Sequence, residues 1–203
     1  GGAELPAMTV ADFEAAIGDA VVDTLAVGPG TPVTSTLTLE GDLSISVAVD
    51  ADDAEVREAV RAAVEDGCQQ VEPTCTAILL SSRRRLTDGG GGTIGLRVTH
   101  PYPAAAPSDP LVATASASLA ATSAAAVAAL PEPYKATAAP PTVTKMSVSS
   151  SLDANGAAAP DSGDAAELQL ALRTALGVGS SAVSVPGIAY VEPPSPPPSP
   201  RWR

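Results

Sequence analysis

The sequence predicts an α+β chain built around a small ferredoxin-like module, a split βαββαβ antiparallel sheet with its helices on one face. Three observations lead there. Val33, Ser35, Leu37 and Leu39 alternate with threonines, and Leu43, Ile45, Val47 and Val49 alternate with serine and alanine, the period of a half-buried strand. Val56, Val60 and Val64 recur at the spacing of one helix face. From residue 33 to about 152 the two patterns follow one another in the order β-α-β-β-α-β.

Each element has its own signal. In "TVADFEAAIGDAVVDTLAVGPG", Phe13, Ile17, Val21 and Leu25 line one helix face, Thr9 caps the start, and Gly28, Pro29 and Gly30 stop it. Two strand halves follow, with Glu40-Gly41-Asp42 between them as a hairpin turn or a bulge. "DADDAEVREAVRAAVEDG" is a helix capped by Asp52 or Asp53, with acids crowding its first turn and Gly67 as its stop. "VEPTCTAILLSS" and "GTIGLRVTH" are strands joined by the loop "RRRLTDGGGG", an exposed hairpin connection.

After the turn-rich "PYPAAAPSDP", Ser108 or Asp109 caps a helix with Pro110 at its first position. Leu111, Leu119, Val127 and Leu130 form a sparse stripe on this alanine-rich helix, which Pro131 and Pro133 end. "TVTKMSVSSSL" alternates as a strand, "NGAAAPDSG" is a loop, and "DAAELQLALRTALGVGSS" aligns Leu168, Leu172 and Leu176 on a helix. "AVSVPGIAYVEP" reads as a last strand bent at Pro186-Gly187. The full expected order is α-β-β-α-β-β-α-β-α-β. "AIGDAVVDTLAVGPGTPVTST" and "ALRTALGVGSSAVSVPG" share a helix, an L-x-V-G stop, a polar turn and a strand, which reads as an internal repeat. Four segments follow from this: a helix and linker of a preceding partial module (1–32), the ferredoxin-like module (33–141), a partial second module (142–192) and a proline-rich spacer (193–203).

Composition narrows the function. Of the 203 residues 45% are hydrophobic but only 2% aromatic, so alanine supplies much of the apolar share and any core is thin. The net charge of −12 argues against nucleic-acid binding, since phosphate backbones attract basic surfaces. No run of 18 apolar residues marks a membrane span. "GGAELPAMTV" lacks a basic n-region followed by an apolar h-region, so no signal peptide is visible, and without Met at its head the chain reads as a piece of something longer.

Cys68 and Cys75 are the two cysteines. As a disulfide they close a loop of about eight residues, worth roughly 2.5 kcal/mol by chain entropy; as free thiols they are two small buried hydrophobes. Their proximity, with Pro73 bending the chain between them, favours the disulfide and with it an oxidising compartment. Zinc does not suit the spacing.

The tail is different in kind. Repeated proline fixes φ and removes backbone donors, so "PPSPPPSP" is expected to adopt polyproline II and to span roughly 25 Å. This stretch resembles the serine-proline spacers of green-algal hydroxyproline-rich glycoproteins, such as pherophorins and cell-wall or mastigoneme components. "CTAILLSSRRRLTDGGGGTIGLRV" also resembles repeated small α/β modules of large algal extracellular proteins. The resemblance implies a structural role outside the cell, in a wall or on a ciliary surface, with copies of itself or other structural glycoproteins as partners. It further implies hydroxylation and O-linked glycans at Pro193, Pro194, Ser195, Pro196, Pro197, Pro198, Ser199 and Pro200. Here the spacer is short and ends in Arg201-Trp202-Arg203, and Asn155 lies in no N-x-[ST] sequon.

No catalytic constellation or cofactor motif emerges. The glycine loop lacks G-x-x-x-x-G-K-[ST], the serines lack a G-x-S-x-G elbow, and the acidic "DADDAE" reads as a helix cap in place of a calcium loop. His100, the sole histidine, reads as a surface residue at a strand end. Arg83, Arg84 and Arg85 are candidates for binding a sulfated glycan or an acidic neighbour, and equally for a processing site or a solvated hairpin tip. Trp202, between two arginines, is a candidate for stacking on a partner. The chain is read as non-enzymatic; the other reading is an adhesion or receptor module that binds glycan or protein.

Overall fold

The computed structural model describes residues 7–27, 31–71, 73–84, 91–152, 163–179, 184–185 and 188–189. Among these residues the fold is α+β: four α-helices, a short 3-10 turn at Glu132–Tyr134 and a five-stranded antiparallel open sheet. In chain order the elements are α1 (Val10–Thr24), β1 (Val33–Val47), α2 (Ala54–Val71), β2 (Thr76–Arg84), β3 (Gly92–Pro101), α3 (Leu111–Ala129), β4 (Thr137–Ala138), β5 (Thr142–Leu152) and α4 (Asp164–Leu176). The strands run β2-β3-β1, and the far side of β1 is paired by β5 over most of its length and by β4 at Ile45–Ser46. This architecture is compatible with the ferredoxin-like class.

β1 organises the molecule. Its 15 residues extend about 50 Å, and every second side chain from Leu37 to Val47 is buried. The two expected strand halves are therefore one strand. Of the turn or bulge expected at Glu40-Gly41-Asp42 the bulge is present: Gly41 continues the pleat, and the register shift at Glu40/Gly41 is taken up on β5, where Thr144 is the extra residue. A Cβ at position 41 would run into the Leu119 side chain, so the glycine here makes room for α3.

All four helices lie on that same face of the sheet. Leu39, Leu43, Ile45 and Val47 of β1 and Ile94, Leu96 and Val98 of β3 pack beneath Val56, Val60 and Val64 of α2 and Ala115, Leu119 and Ala126 of α3. A second cluster covers the start of β1: Leu37 meets Val10, Phe13, Ile17 and Val21 of α1, Leu111 of α3 and Leu168 of α4. Because β5 pairs with β1 from Val33 to Asp42, residues 142–152 belong to the same sheet as 33–101, and the division expected after residue 141 runs between two strands of one sheet.

Local signals explain most helix ends. Thr9 Oγ1 accepts from the Asp12 amide at 3.2 Å, and Asp53 Oδ1 accepts from the Glu55 amide at 2.7 Å. Two expectations change. α2 does not stop at Gly67 but continues to Val71; a Cβ there would stand 3.1 Å from Ala126 N and 3.2 Å from Thr122 O, so the glycine lets α2 approach α3 closely. Pro110 is the N-cap of α3 and not its first residue, because the 107–110 segment bonds to the start of α1: Val10 N donates to Asp109 O and Leu111 N to Met8 O, each at 3.0 Å. α3 also has the length and mean hydropathy (1.6) to cross a membrane, which the expectation of no membrane span did not include. Alanine raises that mean, and here Leu111, Ala115, Leu119 and Ala126 face the sheet. The last expected strand falls largely outside the described residues, as does the 193–203 spacer.

Candidate interaction surfaces

The expected disulfide joins Cys68 in the last turn of α2 to Cys75 immediately before β2, with the Cα atoms 5.8 Å apart. Both residues are buried, and Gln69 Nε2 reaches Cys75 O at 3.4 Å beside them. Sequence proximity brings the two together through a tight turn. The bond staples the end of the main core helix to the edge strand β2.

The sheet's second face carries no helix among the described residues. Thr34, Thr36, Thr38, Glu40, Asp42, Ser44 and Ser46 of β1 line it, exposed or half-exposed. Their cross-strand partners extend the pattern: Ser151, Ser149, Ser147 and Lys145 on β5, and Thr99, Arg97 and Thr93 on β3. Arg97 holds Asp42 through two bonds, Nε to Oδ1 at 2.7 Å and one terminal nitrogen to Oδ2 at 3.0 Å, and Asp42 in turn raises the guanidinium's already high pKa. Lys145 Nζ pairs with Glu40 at 3.1 Å, and the Ser46 and Thr93 hydroxyls meet at 3.1 Å. The surface is a ladder of hydroxyls crossed by ion pairs. It offers many hydrogen bonds. Alternation in the sequence marked the threonines and serines of β1 as outward-facing, while Glu40 and Asp42 read as a turn or bulge, and only strand register reveals the Asp42–Arg97 and Glu40–Lys145 pairs, whose members lie 55 and 105 residues apart.

β2 is the free edge beside β3. It exposes Ile78 (57%), Leu79 (38%) and Leu80 (44%), with a register shift between Leu79 and Ser81. Exposed apolar side chains on a strand with one edge unpaired among the described residues are a template for pairing with another chain. Arg83 and Arg84 end this strand; Arg85, Trp202 and the whole of Pro193, Pro194, Ser195, Pro196, Pro197, Pro198, Ser199 and Pro200 lie outside the described residues.

His100 departs from expectation. It is 1% exposed, because its position in β3 places it opposite Leu39 on the helix-covered face. Its Nδ1 lies 2.6 Å from Pro101 O, and its Nε2 has no partner. Among the described residues, no three His, Cys, Asp or Glu side chains converge as metal ligands. Tyr102, next in the chain but one, anchors the start of α3: its hydroxyl donates to Leu111 O at 2.7 Å, and burial pushes its phenol above the ordinary value. No protein-family model matches this chain, and no curated protein matches it either.

Proposed function

We propose that this chain is a non-enzymatic structural segment of an extracellular, glycosylated protein that forms a filament or wall. Its folded part is a split βαββαβ module, and the 193–203 spacer holds such modules apart as a polyproline II rod. The observation that carries this reading is the one-sided sheet: helices cover one face, and the other presents a long hydroxyl and ion-pair ladder beside an apolar free edge. Such a surface suits hydrated lateral packing against copies or other structural glycoproteins, and edge pairing adds burial that a thin core lacks. The Cys68–Cys75 disulfide agrees with an oxidising compartment.

Mass spectrometry of the protein from its native source tests the reading. Hydroxyproline and attached sugars between Pro193 and Pro200 are the expected result, and unmodified proline and serine throughout would overturn it. A second reading, an adhesion module that binds an acidic glycan, draws on Arg83 and Arg84 ending the edge strand β2. Glycan-array binding abolished by the combined Arg83→Ala, Arg84→Ala and Arg85→Ala change would favour it over scaffolding.

A further inference from the structure

An open cleft of about 350 Å³ lies between α1, the start of β1 and the segment that follows β3. Its walls include Val10, Leu37, Pro101, Tyr102 and Pro103, with the exposed carboxylate of Glu14 at the rim. Ser35 and Thr36, the latter from the hydroxyl face, also line it, and the disulfide does not. An aromatic ring between prolines, with apolar walls and an acid beside them, is the chemistry that receives polyproline II segments: the ligand's rings lie against the aromatic surface, and a flanking cation meets the acid.

The chain contains such a ligand. "PPSPPPSPRWR" joins a proline run to Arg201 and Arg203. Ile188 packs against the cluster that contains Val10 and Leu37, two of the cleft's lining residues, so the chain returns to that cluster shortly before the run begins. Five residue steps separate Ile188 from Pro193, a reach of at most about 18 Å. A polyproline segment is also preordered, so its docking loses little chain entropy.

We propose that the 193–200 segment docks in the Tyr102 cleft of its own chain, with an arginine of the tail paired to Glu14. The spacer then has two states, folded back on the module or extended from it. Glycans on the same prolines would occupy the docking surface and hold the spacer extended. The proposal goes beyond the structural role and does not depend on it, since it concerns the unmodified chain.

Trp202 is the only tryptophan, so its fluorescence reports the tail alone. The test measures acrylamide quenching of Trp202 in the unglycosylated 203-residue chain and in the free peptide of residues 193–203. The chain should protect Trp202 relative to the peptide, independently of protein concentration. Glu14→Lys and Ala104→Arg, both at exposed positions of the cleft, should each remove that protection while leaving the far-ultraviolet circular dichroism unchanged. Quenching equal to the free peptide's, or protection that survives both substitutions, would overturn the proposal. Protection that grows with protein concentration would overturn it too, because the occupant would then be a second copy. None of these outcomes bears on whether the native tail carries sugars.

Discussion

Thr122 sits fully buried in α3, and its hydroxyl has no hydrogen-bond partner among the described residues. A buried hydroxyl left unpaired forfeits its bonds to water and regains nothing. Thr122→Val keeps the shape and removes that cost, so it should stabilise the fold by about 1 kcal/mol in urea unfolding. A loss of stability would mean that the hydroxyl is bonded after all. The Asp42–Arg97 pair has good geometry, but both side chains are about one-third exposed, and solvent screening leaves such a pair little net effect on stability. The same holds for Arg61, which bridges Glu58 and Glu65 on the outer face of α2. The polar contacts of this protein therefore set register and surface character more than they set stability.

Among the elements, α2 and the strand after it are held by two devices of opposite kind. The disulfide from Cys68 to Cys75 restrains the unfolded chain, and replacing both cysteines with serine should cost about 2.5 kcal/mol by thermal or urea unfolding. Gly67 allows α2 to touch the backbone of α3, so Gly67→Leu should cost roughly 1–3 kcal/mol by forcing the helices apart, and an unchanged midpoint would show that the contact is loose. These two features were not equally legible. Two cysteines seven residues apart with Pro73 between them favour a disulfide, and Thr9 and the Asp52–Asp53 pair mark helix caps by local hydrogen bonding. Gly67 and Gly41 look like stops and turns, because local rules associate glycine with chain reversal. Both are instead places where a neighbouring helix presses on the backbone, and that neighbour lies far along the chain. His100 misled for the same reason: position at a strand end says nothing about which face a helix will cover.

At the scale of the whole molecule, one long strand carries two helical clusters on a single side. The strong alternation of β1 and the helical stripe of α2 made the α+β class and the β-α-β-β-α-β order from residue 33 to about 152 readable, while the register that joins β5 to β1 needed the structure. A core of Val, Leu and Ala with one phenylalanine is modest, and the exposed Ile78, Leu79 and Leu80 leave an edge that association would cover. Such a molecule is suited to being one of many. The central claim is that this chain serves an extracellular assembly as a building unit. Immunogold electron microscopy of the native matrix or ciliary surface, with an antibody against the folded module, tests it most directly. Labels spaced at a regular interval along a filament or wall layer are the predicted result. Labels confined to the cell interior, or a protein recovered only as dispersed monomers, would contradict it.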